Sequence, residues 1–322
     1  MIYVLSCEIT AGKLRTRHVA RVQVRSTWRE LTDTAVIELP RNLDLKGKSL
    51  DEVVKRGDRV DIFLGYNGGL KREFTGFVRK VERDVPVRIY CEDYAYLLDR
   101  KVEPKAWASV TLEGLVTYLT AGLGIASEVV DVNLGKVRLE KGSIADVLMQ
   151  VRDTFGLVAY FRHNPDNNTR PTLFVGFPYD LVTDKDTAIL HRQRNVANSS
   201  GLKYQGKEDV QVTIRAISNA ADKTAKKTVV EVGSGPVRTR NYMPGLSKEQ
   251  LRSLATKELD NLRVDGFSGS LESFGIPYIA HGDAVRIIDQ QYVDEDARYL
   301  SDGVDIEFSD TFRRKVKIGK KL

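Results

Sequence analysis

Four histidines are the side chains of this sequence best suited to bind a metal or to move a proton near neutrality: His18, His163, His191 and His281. No two of them stand at metal-ligand spacing, and neither His-x-x-x-His nor Cys-x-x-Cys occurs. His281 precedes a turn and His18 a strand, so solvated or packing roles are expected of them. Two cysteines cannot build a disulfide framework or a zinc knot. Cys7, in "YVLSCEI", and Cys91, in "VRIYCED", read as buried free thiols. A nucleophilic Cys91 would need a neighbouring base and an electropositive setting, and the sequence displays neither.

The carboxylates are no more suggestive of catalysis. Glu92 and Asp93 are adjacent, and neighbours in a strand point to opposite faces, so the pair diverges. Asp93 is instead expected to cap a short helix, "YAYLLDR". Asp294, Glu295 and Asp296 fall in a hairpin-like loop, "QQYVDEDARY", which lacks the spaced oxygen ligands of a calcium loop. Arg56-Gly57-Asp58 is the adhesion tripeptide in composition, yet it feeds a strand. No Gly-x-Ser-x-Gly elbow and no Gly-Lys-Ser/Thr phosphate loop is present, and the glycines of "GSGP" lack a βαβ context. These residues point to no enzyme, no metal and no cofactor.

Bulk properties set the frame for the elements. A chain of 322 residues suggests two or three domains. Hydrophobic content of 42% and charged content of 29% are ordinary for a soluble globular protein. There is no apolar run long enough to span a membrane, and "MIYVLSCEITAGKLRTRH" gives no reason to expect a secretory signal. A net charge of +6 is mild and does not by itself argue for nucleic acid. Two basic runs remain, "RHVARVQVR" and "FRRKVKIGKKL". Both read as solvated strand faces; for the second, with Arg313, Arg314, Lys315, Lys317, Lys320 and Lys321, polyanion contact is the alternative. No aromatics interleave with it, so base stacking is unsupported.

The first hundred residues are strand-rich. "HVARVQVRS" and "TDTAVIELP" alternate apolar and polar residues, and Arg59 to Tyr66 sets Val60, Ile62 and Leu64 against Arg59, Asp61 and Phe63. Asn67-Gly68-Gly69 predicts a hairpin turn. "REFTGFVRKVERD" and "VPVRIYCED" complete an antiparallel series suited to a small sandwich or barrel. The middle predicts two helices. One carries Leu112, Leu115, Val116 and Leu119 on one face; the other is capped by Ser143 with Asp146 three residues on, and ends at Gly156. "LVAYFRH" and "PTLFVGFPY" follow as a hairpin around "NPDNNTR". The last third returns to strands around one helix, with a Ser247/Gln250 capping box, Leu251, Leu254, Leu259 and Leu262 on one face, and Gly266 closing it.

One strand entry is written twice. Gly57-Asp58 opens "GDRVDI" and Gly282-Asp283 opens "GDAVRI", sharing Gly-Asp-x-Val-x-Ile through Val60 and Val285. A turn and a glycine-led strand follow each, from Gly76 and from Gly303. A duplicated β domain and convergent turn chemistry both explain this pattern.

These residues resemble those of the late control protein D family of phage baseplate hub proteins, related to the base of type VI secretion spikes. The first stretch of likeness is "VVKRGDRVDIFLGYNGGLKREFTGFVRKVER", continued by "VRIYCEDYAYLLDRK". Its matching positions are Gly57, Asp58, Val60, Gly65, Tyr66, Phe74, Gly76, Asp93, Leu97 and Leu98. The second is "LRSLATKELDNLRVDGFSGSLESFGIPYIAHGDAVRI", with Gly275, Pro277, Gly282 and Asp283 in place. Together they cover about a quarter of the chain.

The resemblance implies a mainly β fold with an α+β insert. Two domains similar to the tail-tube subunit, 1–104 and 183–322, would arise by internal duplication and flank a small α+β domain at 105–182. The second would hold the long helix, about 247–264. It further implies a structural, non-enzymatic hub in the virion tail, assembled in the bacterial host cytoplasm: a homotrimer whose six quasi-equivalent domains adapt a six-fold tube above to a three-fold spike below. DNA would pass through the lumen without specific binding, with the basic C-terminal run outward or interfacial. The rival expectations are a tail-associated cell-wall hydrolase and a nucleic-acid-binding β-barrel.

Overall fold

A computed structural model describes residues 3–40, 47, 49–166, 169–177, 188–218, 227–242, 245–263, 265–292 and 295–322. Asp294 of the acidic loop and the expected 182/183 boundary lie outside the described residues. The fold is mainly β. The first part contains β1 (Leu5–Ala11), β2 (Leu14–Thr16), β3 (Arg21–Thr27), β4 (Thr34–Leu39), the short α1 (Leu50–Val53), β5 (Arg59–Tyr66), β6 (Gly69–Glu82) and β7 (Val87–Glu92), closed by a 3-10 turn at Tyr94–Asp99. Asp93 caps that turn, its Oδ1 accepting the Ala95 N–H at 3.0 Å, as the sequence suggested.

The middle part follows with β8 (Lys105–Thr111), α2 (Leu112–Thr120), β9 (Ala126–Val129), β10 (Asn133–Leu139), α3 (Ile144–Phe155), β11 (Val158–Arg162) and β12 (Thr172–Gly176). Leu112, Leu115, Val116 and Leu119 are buried on α2, and Ser143 and Asp146 form the expected reciprocal cap of α3. The four α2 residues share a core with Tyr94, Leu98, Phe161 and Leu173.

The last part holds β13 (Ala188–His191), β14 (Val196–Asn198), β15 (Leu202–Gln205), β16 (Val212–Ser218), β17 (Thr228–Ser234), β18 (Val237–Tyr242), α4 (Lys248–Leu262), β19 (Gly266–Phe274), β20 (Ala284–Ile288), β21 (Ala297–Phe308) and β22 (Phe312–Lys321). Among the described residues, strands β16, β17 and β18 pair only with one another, and α4 packs on them through Leu251, Ala255 and Leu259. Leu254 is exposed, contrary to expectation. At about 3.6 residues per turn it diverges from the stripe that Leu251 and Leu259 define, and Ala255 takes its place. Gly266 does not close the helix either: α4 ends at Leu262, and Gly266 opens β19 beneath the Tyr299 hydroxyl.

The remaining strands of the first and last parts form one 14-stranded sheet. Within it, β4 to β7 pair in the order β5-β6-β7-β4, and β19 to β22 in the order β20-β21-β22-β19. We call these the first and second modules. They are joined where β3 pairs antiparallel with β21, from Gly303 opposite Thr27 to Phe308 opposite Val22. One hydrophobic core runs beneath both, from Ile9, Val22 and Ile62 to Val285, Phe312 and Val316.

Candidate functional site at the junction of the modules

The two Gly-Asp turns have the same geometry. Gly57 and Gly282 sit at φ of 86° and 81°, where a Cβ is disfavoured. The Gly57 N–H donates to Val78 O at 2.8 Å, and the Val78 N–H returns to Asp58 O at 2.8 Å. Gly282 and Ser301 repeat this at 2.7 Å, and Ser301 and Asp283 at 2.9 Å. Asp58 Oδ2 accepts the Lys55 N–H at 2.8 Å, just as Asp283 Oδ2 accepts that of Ala280 at 2.8 Å. Each aspartate therefore braces its own turn. Replacing either by alanine is expected to cost about 1 kcal/mol in urea unfolding; a cost at one site alone would show that the matching geometry has no matching energetics.

Strand registers carry the correspondence further. Val60 stands opposite Gly76 and Val285 opposite Tyr299. Beyond those positions β6 slips register between Val78 and Lys80, and β21 slips on both sides of Ser301, between Tyr299 and Ser301 and between Ser301 and Gly303. Tyr299, not Gly303, thus occupies the place of Gly76, and Gly303 corresponds to Lys80. The sequence paired the glycines by their rank after the turn, whereas pairing fixes them by register.

Two of the residues that carry the resemblance, Tyr66 and Gly275, meet where the modules touch. Tyr66 donates its hydroxyl to Phe312 O at 3.1 Å, and the Gly275 N–H donates to the same carbonyl at 2.9 Å. A Cβ on Gly275 would overlap the Phe312 ring. The loop from Gly275 to Ile279 wraps Arg314, whose guanidinium donates to Gly275 O at 3.0 Å and Ile279 O at 2.8 Å and lies over the Tyr278 ring. It also pairs with Glu73 at 2.5 Å. Both side chains are essentially buried, at 0% and 2% exposure. Arg314 is therefore no part of a solvated basic face. Phe312, Arg314, Val316 and Ile318 share one face of β22, and that alternation in "FRRKVKI" was the available signal. Glu73 reaches inward because it is the extra residue of a bulge: Ile62 pairs with Phe74, and Phe63 with Arg72. The other basic residues of β22 are outward and partly paired, Arg313 with Glu272 and Lys317 with Asp305.

Beside this ion pair lies a small cavity lined by Asp33, Glu73, Thr75, Asp93, Phe161 and His163. Burial raises the Asp33 carboxyl to about 7, and burial together with Asp33 holds Asp93 well above the usual range. Burial lowers His163 to about 4 and His281 to about 3, so both are neutral packing residues near neutrality, as expected. Cys7 and Cys91 are buried free thiols, raised by burial. Ser26, His281 and Asp33 have the residue types of a hydrolytic triad. Their geometry is different: Ser26 Oγ at 2.5 Å and Asp33 Oδ2 at 3.8 Å both approach Nδ1, leaving no relay through Nε2. The cluster ties β3 and the β3–β4 loop to the β19–β20 loop.

No family model matches the sequence, and no curated protein matches it. Its fold is shared by solved structures. The tail protein from Neisseria meningitidis MC58 aligns over 99% of this chain and 97% of its own, with a TM-score of 0.66 at 18% identity. The 43 kDa tail protein of prophage MuSo2 from Shewanella oneidensis aligns over 98% of each chain, with a TM-score of 0.63 at 14% identity. An Escherichia coli type VI secretion component, described as similar in structure to T4 bacteriophage tail proteins gp27 and gp5, covers 97% of this chain and 76% of its own, with a TM-score of 0.60 at 9% identity. At these identities the likeness is one of fold.

Proposed function

We infer that this chain is a structural hub subunit of a phage tail or phage-like injection particle, resembling late control protein D. Tail proteins that share the fold over nearly their whole length support this reading. The matched ladders and Gly-Asp turns support two tube-like modules, within 1–104 and 183–322, around an α+β unit at 105–182. The motif residues brace a rigid seam, which suits a part that must hold its shape under load.

Three such chains present six modules in a ring, matching a six-fold tube above and a three-fold spike or needle below. The complex belongs in the virion baseplate, assembled in the host cytoplasm, and DNA passes its lumen without specific contacts. Exposed Tyr3, Val4, Phe274 and Ile276 supply apolar area for subunit or tube contacts. Among the described residues no helix is long and apolar enough to cross a membrane. Class averages of the purified protein are expected to show a three-fold ring with a central hole, and sedimentation to give three times the chain mass. A monomer at the highest soluble concentration would overturn the reading.

A further inference from the structure

The internal correspondence identifies how one copy of the chain meets the next. In the second module, one edge of β21 serves two strands in succession: β20 along Ala297–Leu300, then β3 along Gly303–Phe308. In the first module, the same edge of β6 pairs with β5 through Phe77. Beyond that, from Lys80 to Glu82, no described strand lies alongside it. By register, Lys80 corresponds to Gly303, Val81 to Val304 and Glu82 to Asp305. β6 ends there, at Glu82, whereas β21 runs on to Phe308.

The strand that should fill this edge is also recognisable. β3 flanks β4, and its counterpart flanks β19; Leu202 stands opposite Gly269 as Val24 stands opposite Ala35. That counterpart is β15, which among the described residues has β19 as its one strand neighbour. Lys203 takes the place of Arg25, and Gln205 that of Thr27. Arg25 stands opposite Asp305 within the chain, and the corresponding pair between chains, Lys203 and Glu82, keeps the same charges.

We propose that β15 of one copy pairs antiparallel with the Lys80–Glu82 edge of β6 in a second copy, placing Lys203 opposite Glu82 and Gln205 opposite Lys80. This rests on the hub reading and supplies its contact. It is head-to-tail, so repetition closes a ring in which the link between chains reproduces the β3–β21 link within one.

The test uses the full chain carrying Glu82→Cys and Lys203→Cys together. On mild oxidation it is expected to give interchain dimers and trimers on a non-reducing gel, with neither single variant doing so. Glu82→Lys and Lys203→Glu should each weaken assembly at least about tenfold, and the two combined should restore it. Lys203 is exposed and Glu82 half-buried, bonded to Lys80 and Tyr90 of its own chain, so circular dichroism is used to verify that each variant folds. A wild-type trimer that is indifferent to both charge reversals and gives no cross-link would overturn the register while leaving the hub reading intact. A wild-type monomer would overturn both.

Discussion

Replacing Arg314 by methionine is expected to cost about 3–5 kcal/mol in chemical denaturation, because Glu73 would be left as a buried charge without its cation. The pair lies at 2.5 Å with neither side chain appreciably exposed, so solvent cannot substitute for the missing partner. Replacing both, as Glu73→Leu with Arg314→Met, should recover most of that loss, since a well-packed apolar pair often matches a buried ion pair. The deficit of the single variant should depend on pH. Burial already pushes the Glu73 carboxyl up. A raised folded value gives a contribution that is full below the ordinary carboxylate range, about 4.3, and is lost as pH rises through the folded value. The Arg314→Met deficit should therefore shrink in acid. A deficit that is small or independent of pH would mean that water reaches Glu73 and that the pair is no structural lock.

Phe312→Ala is the second large effect, expected at about 3–5 kcal/mol. Its ring is buried between Tyr66 and Phe308, with centroids 5.5 Å from each, and fills the space left by Gly275. Tyr66 belongs to the first module and Phe308 to the second, so the cavity opens on the seam itself. Because one core serves both modules, the variant should still unfold in a single transition seen alike by fluorescence and circular dichroism. Two separated transitions would show that the modules fold independently and that the seam couples them only weakly.

Local signals in the sequence were informative where a segment's structure depends on its own pattern. Val60, Ile62 and Leu64 are buried on β5 as their alternation required, and Ser143 and Ser247 cap their helices. The Gly-Asp repeat was visible as text, and its two copies proved to share bond lengths as well as letters. What escaped detection depends on distant partners or on a shift of parity. Arg314 was grouped with its charged neighbours although strand alternation assigns it inward. Glu73 could not be placed, because a one-residue bulge reverses which side of β6 faces the core. Asp33 became significant only when the chain brought it beside Asp93 and His281, and no spacing rule spans that distance.

The β3–β21 seam also bears on how the molecule is made. Thr27 donates its hydroxyl to Asp302 O, 275 residues further along the chain. At about 5–20 residues per second, the ribosome delivers that partner roughly 15–55 s after β3 has emerged. Throughout that interval a nascent strand with a hydrogen-bonding edge awaits its mate, open to the wrong one. Yield in a heterologous host should thus be governed by elongation speed and chaperone supply more than by the final stability of the fold.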